Sequence, residues 1–250
     1  MNTILEVNQL SLVRQQSVLQ DMSFQIYPGE LVMLVGPNGA GKSSLMQSVA
    51  GVLAPTSGNL LVQQQEPNSW SAKDWARHIS YLPQHNPVNF ALSVPEVVRL
   101  GGLAHEYYGE ALDQQAQRAI ELWQLTEFGS REIRRLSGGE QQRCHLARSW
   151  LQMQLASSQL WVLDEPLSAL DLQHQKLCLE QIKAQTKQQK SVLMVAHDLN
   201  LVRHYADRVL LIDKGRLLAA GKAEDVLTAE NIKRVFQVEA SVQGSYVRWY

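Results

Sequence analysis

Apolar and polar positions follow two rhythms along this chain, and the change from one to the other marks out its elements. Near the start, "ILEVNQLSLV", "MSFQIY" and "ELVMLVG" are short β-branched or alternating runs divided by polar breaks, which predicts strands at the edge and then in the core of a sheet. "KSSLMQSVAGVL" follows directly with helical spacing, and "PTSG" ends it. A strand-like "GNLLV", a short polar helix at "SAKDWARH" and the strand "ISYLPQ" lead to Pro83 and Gln84. From Ser93 to about Gln154 the pattern turns helical, as in "VPEVVRLGGL" and "ALDQQAQRAIELWQL", with no convincing strand. Strands then return as "LWVLDEP", "SVLMVAH" and "RVLLIDKG", separated by helices at "QHQKLCLEQIKAQTK" and "LNLVRHYAD". Near-continuous apolar strands alternating with helices imply an α/β fold, its parallel sheet covered on both faces. The tail "AEDVLTAENIKRVF" predicts one or two helices, and "ASVQGSYVRWY" a final strand pair.

Composition narrows the function. The 250 residues are 45% hydrophobic, enough for a substantial core. Twenty-three Lys plus Arg against 24 Asp plus Glu give a net charge of -1, and no dense basic run supplies an electrostatic footprint for nucleic acid. No run of 18 apolar residues and no signal-like N-terminus is present, so a cytosolic chain that does not span a membrane is expected. Cys144 and Cys178 have no partners at metal spacing and read as incidental thiols.

The chemistry gathers in a few segments. Gly36, Gly41, Lys42 and Ser43 satisfy G-x-x-x-x-G-K-[ST] between a strand and a helix. Glycines let successive N–H groups turn toward phosphates, and the helix N-terminus adds its positive end. Lys42 should reach the β- and γ-phosphates and Ser43 should offer its hydroxyl to Mg²⁺. Asp164 and Glu165 end an apolar strand, where Asp164 suits Mg²⁺ and Glu165 suits polarising a water, although a solvated acidic strand end has the same pattern. His197 ends another strand and suits a γ-phosphate oxygen and Glu165, while lone histidines at strand ends are more often structural. Gln84, an amide at a strand end, suits both Mg²⁺ and the attacking water. The other six histidines have no ligand spacing. Ser137 begins "SGGE", which reads both as a capping box with Glu140 and as an anion site. Gly138 and Gly139 are costly at a helix start unless the backbone must come close to something.

Taken together these segments resemble the ATPase subunit of an ATP-binding cassette transporter. The match covers nearly the whole chain: Walker A at "GPNGAGKS", the Q-loop at Gln84, the signature "LSGGE", Walker B with a catalytic glutamate at "LWVLDE", the D-loop "SALD" at 168–171 and a switch histidine in "AHDLN". The resemblance implies a P-loop NTPase core, a mixed and largely parallel sheet flanked by helices, with an N-terminal antiparallel edge and an inserted α-helical subdomain. Residues 1–92 and 155–225 would form the core, 93–154 the signature subdomain and 226–250 a C-terminal helix and tail. It implies ATP and Mg²⁺ as ligands. ATP would be held by Gly36, Pro37, Asn38, Gly39, Ala40, Gly41, Lys42, Ser43 and Ser44, and Mg²⁺ by Ser43, Gln84 and Asp164. Catalysis would fall to Glu165, His197 and Gln84. Two cassettes pack head to tail in that family, so Ser137, Gly138, Gly139 and Asp171 would contact the nucleotide of a second copy.

The same resemblance implies two permease subunits, an indirect substrate-binding protein and a place at the cytoplasmic face of the inner membrane. "HDLNLVRHYADRVLLIDKGRLLAAG" and the tail look like importers of haem, ferric siderophores or cobalamin; "SALDLQHQ" is similar to the haem importers and "SWSAKDWARHISYLPQ" to the cobalamin ATPase, with a slight lean to haem or another iron chelate. An exporter's ATPase is the alternative. A repair or chromosome ATPase would need a long coiled coil between Gln84 and Ser137, a ribosome-associated cassette protein would carry two cassettes, and a degenerate scaffold would lack the intact Lys42, Asp164, Glu165 and His197. Two departures stand out. "LSLVRQQSVL" lacks the aromatic that usually stacks on adenine, leaving Arg14 to lie against the base, and Leu167 replaces the usual threonine before "SALD".

Overall fold

The computed structural model describes residues 3–14, 17–66, 70–86, 90–155, 158–244 and 246–250. The chain begins with β1 (Leu5–Arg14), β2 (Ser17–Ile26), β3 (Leu31–Val35), α1 (Lys42–Val49) and β4 (Ser57–Val62). Next come α2 (Ala72–His78), β5 (Ile79–Leu82), α3 (Val94–Arg99), α4 (Glu110–Leu122) and α5 (Gly138–Gln154). β6 (Leu160–Leu163), α6 (Leu172–Lys187), β7 (Ser191–Val195), α7 (Leu199–Tyr205) and β8 (Arg208–Asp213) restore the alternation. β9 (Arg216–Gly221), α8 (Ala223–Val226), α9 (Ala229–Phe236), β10 (Ala240–Gln243) and β11 (Tyr246–Trp249) close it.

The main sheet has the order β5-β6-β7-β3-β8-β9, parallel except for β9, which runs antiparallel to β8. Its strands are buried on both faces, and successive residues serve opposite cores. Leu31, Met33 and Val35 of β3 pack with α3 to α9, whereas Val32 and Leu34 pack with Leu45, Met46 and Val49 of α1 and with the first strands. Every residue of β3 is therefore apolar because neither face meets water.

Two details differ from the sequence reading. The N-terminal antiparallel edge is present as expected, but as a sheet of its own: β2-β1-β4 close the α1 side without joining the ladder of the main sheet. Their alternating pattern fits that arrangement, since one face alone is covered. "RLLAAG", unassigned from its pattern, is the antiparallel edge strand β9; it is short, rich in alanine and half-exposed, so it carries little periodic signal. The C-terminal strands form a hairpin outside both sheets.

The two sheets and the loop before α1 meet at Gly215, in the β8–β9 turn. Its N–H donates to Ala40 O at 3.0 Å and its carbonyl accepts from Gln20 N of β2 at 2.8 Å. Its φ is 77°, and a Cβ there would lie 2.0 Å from Val18 O. Only glycine permits this approach. Gly215→Ala is expected to cost about 2–3 kcal/mol of stability and to weaken ATP binding, because relief of the clash moves Ala40. Thermal melting and nucleotide titration check both effects; unchanged ATP affinity in a destabilised variant would show that the junction does not set the loop.

Candidate active site

Four adjacent parallel strands deliver the site. The pairings Leu82↔Leu163, Leu163↔Met194 and Leu34↔Val195 keep β5, β6, β7 and β3 in step, so the residues just past their C-terminal ends emerge together. Those residues are Gln84, Asp164 with Glu165, His197 and Gly36. A ligand crevice outside the carboxyl ends of the strands is where an open α/β sheet binds its substrates. Here Asn38, Gly39, Gly41, Lys42, Ser43, Ser44, Gln84, Glu165 and His197 line a cleft of about 440 Å³. Pro37 and Ala40 line a neighbouring depression on the loop's other side.

The loop between β3 and α1 is a cradle of backbone donors. Gly39 and Gly41 have φ 79° and 99°, and Gly41 caps α1. The first N–H groups of α1 have no carbonyl one turn earlier to bond, so they are available to an anion. Lys42 is buried, and its Nζ donates to Gly36 O at 2.8 Å and Pro37 O at 2.9 Å, folded along the loop it belongs to. Burial lowers its pKa, opposed by the nearby charges of Glu165 and Asp164.

The carboxylates differ. Glu165 Oε1 lies 2.7 Å from His197 Nε2, and the glutamate backbone sits at φ 53°, a strained value for a residue with a Cβ. Asp164 is 1% exposed, and its Oδ1 has no hydrogen-bond partner among the described residues, although the Ser43 side chain lies close enough to favour the ionised carboxylate. A buried, half-unpartnered carboxylate beside a hydroxyl, with an amide at the rim, is a hard oxygen donor set that fits Mg²⁺.

The ABC transporter family model matches residues 19–168. The chain belongs to that family. A relative in Pseudomonas fluorescens, "Hemin import ATP-binding protein HmuV", is 40% identical over 91% of this chain and 90% of its own length. One of the same name in Plesiomonas shigelloides is 37% identical over 91% of this chain and 92% of its own. A solved structure described as the ATP binding subunit of an ABC transporter matches with TM-score 0.81 at 26% identity, covering 90% of this chain and 92% of that one. Another, of a putative metal-chelate type ABC transporter in an inward-facing conformation, matches with TM-score 0.79 at 27% identity, covering 100% and 96%. This ABC cassette is an ATPase, and it binds ATP.

The signature segment stands apart from the cleft within the one chain. Ser137 caps α5 with both halves of the capping box formed, its N–H donating to Glu140 Oε2 at 2.7 Å, while Ser137 and Gly138 are exposed. A Cβ on Gly138 would meet nothing within 4 Å among the described residues, so their packing does not require that glycine. Asp171 caps α6, with Oδ1 accepting from His174 N at 2.9 Å and lying 2.8 Å from His174 Nδ1. His174, Gln142 and Gln175 had no signal in the sequence, yet each bonds the D-loop segment or one of the two residues before it, Pro166 and Leu167. Arg14 closes β1, but its side chain lies outside the described residues. Cys144 and Cys178 are buried free thiols, and burial pushes the Cys144 thiol up to about 12.

Asp164 trades stability for its place. Burial raises its pKa above the ordinary carboxylate value, so ionisation penalises the folded state at pH 7 and the penalty fades as pH falls through that raised value. Asp164→Asn, without nucleotide, is therefore expected to melt roughly 2–4 °C higher at pH 7, with the gain shrinking on acidification. The same variant should lose the extra ATP affinity that Mg²⁺ provides. A lower melting temperature at pH 7 would contradict the desolvation argument.

Proposed function

We propose that this chain is the subunit that couples ATP hydrolysis to import of haem, or an iron chelate of similar size, through a membrane permease. The observation that carries the reading is that relatives named for hemin import match at 36–40% identity over about nine-tenths of this chain. The metal-chelate neighbour, superposing along the full chain, supports it. Among the described residues no helix is long and apolar enough to cross a membrane. In this reading the path for the substrate belongs to permease subunits, and the cassette sits against them at the cytoplasmic face.

In this reading the backbone donors of residues 36–44 and the Lys42 ammonium hold the phosphates. Lys42 turns from the carbonyls of Gly36 and Pro37 to the nucleotide, exchanging neutral hydrogen bonds for stronger charge-assisted ones. Ser43, Asp164 and Gln84 hold Mg²⁺, which when bound neutralises phosphate charge. Glu165 accepts the proton of the attacking water, and the 2.7 Å contact with His197 orients it. The Ser137–Gly139 segment, exposed at Ser137 and Gly138 and absent from the lining of its own cleft, serves the nucleotide of a second copy in a twofold dimer, each copy supplying one half of each site.

The permease has a candidate seat. Phe90 is 74% exposed, six residues past Gln84, and Leu92 beside it is half-buried. An apolar ring displayed six positions after the residue that senses the nucleotide is a liability unless a partner covers it. In proteoliposomes holding the complete transporter, ATP-driven haem uptake is expected. Phe90→Glu should abolish uptake while the isolated chain still binds ATP. Normal uptake by Phe90→Glu would move the seat elsewhere, and transport of cobalamin but not haem would correct the substrate.

A further inference from the structure

The turn after Glu165 is held from two separate helices. Pro166 has no N–H, so its buried carbonyl is its only backbone polar group, and that oxygen accepts from Gln142 Nε2 of α5 at 3.0 Å. Further along, Gln175 Nε2 of α6 donates to Leu167 O at 3.3 Å and Leu170 O at 3.1 Å. Ser168 Oγ donates to Glu165 O at 3.1 Å. The start of α5 packs on the same turn, since a Cβ on Gly139 would lie 3.0 Å from Ala169 O. Glu165, at φ 53°, keeps its strained backbone only while its surroundings impose it.

We propose that Gln142 is a positioning residue for Glu165. Its amide ties the residue directly after the carboxylate to the helix that begins with Ser137, Gly138 and Gly139. The chemistry requires a donor at this position, because a carboxylate would repel the Pro166 carbonyl and a methyl group would leave it buried without a partner. The consequence rests on the reading of Glu165 as the base and of Ser137–Gly139 as the contact to a second copy. When α5 of one chain seats on its partner's nucleotide, the same helix sets the angle of Glu165 over its own. The two composite sites are then linked through a hydrogen bond inside each chain, which would make firing at one site depend on occupancy of the other.

The test uses the full chain. Gln142→Ala and Gln142→Glu are expected to lower kcat about ten- to a hundredfold, as a displacement of about 1 Å at the base would. KM for ATP should be unchanged, because residues 36–44 are untouched. Gln142→Lys, which keeps an N–H donor of similar reach, should recover most of the loss. In the Glu165→Gln background, where stalled hydrolysis should hold two chains together, adding Gln142→Ala should leave the MgATP-driven dimer intact by light scattering. Unchanged kcat in Gln142→Ala, a Lys variant no better than the Glu variant, or loss of the dimer would each overturn the positioning role, the last by showing that Gln142 serves the grip on the second copy. Should Glu165→Gln alone fail to dimerise, the two-chain reading falls, while kcat, KM and the lysine rescue still decide what Gln142 does.

Discussion

The site depends on a charge imbalance that the protein itself does not resolve. Lys42 is one buried ammonium, and near it stand two carboxylates, Asp164 almost completely buried and Glu165 mostly so. Among the described residues, Lys42 Nζ donates to two backbone carbonyls and Asp164 Oδ1 has no partner. Such groups are costly to bury unless something arrives to pair with them. A phosphate chain with its cation fits both needs, giving the ammonium an anion and the carboxylate a metal. The rest of the fold can be understood as the frame that keeps this unfinished cluster from relaxing. Four in-step parallel strands fix Gln84, the two carboxylates, the histidine and the glycine loop at one edge, and the second sheet braces the loop through Gly215.

Strain appears where function needs it. Glu165 has left-handed backbone geometry on a residue with a long side chain, and carbonyls of the turn that follows are claimed by side chains from α5 and α6. A turn held this way transmits movement of the helices to the carboxylate. The helix caps tell a related story. Ser137 and Asp171 are both good N-caps within the chain, so their local roles are already filled. What the caps leave over is the open space above Gly138 and the exposed backbone beside it, which the single chain does not use.

Much of this was legible in the residues. The strands β3, β6, β7 and β8 announced themselves as unbroken apolar runs because both faces are covered, and the glycine loop, the carboxylate pair and His197 each followed such a run. The cap at Ser137 was readable from the spacing to Glu140 alone. What the pattern hid depends on contacts distant in sequence. β9 is half-exposed and alanine-rich, so it has no periodicity, and its pairing with β8 alone makes it a strand. Separation of β2-β1-β4 from the main sheet is a matter of register, which alternation does not specify. Gln142 lies 24 positions before the carbonyl it holds, and in a chain rich in glutamine nothing local distinguishes it.

In the proposed dimer the Ser137 segment completes a nucleotide site on another chain. Disulfide trapping between Ser137→Cys and Asn38→Cys in the Glu165→Gln background tests it directly, since Asn38 is exposed at the rim of the cradle and the native thiols Cys144 and Cys178 are buried. A covalent dimer is expected on mild oxidation with MgATP and none with ADP. A disulfide formed within one chain, or no cross-link although MgATP is bound, would contradict it.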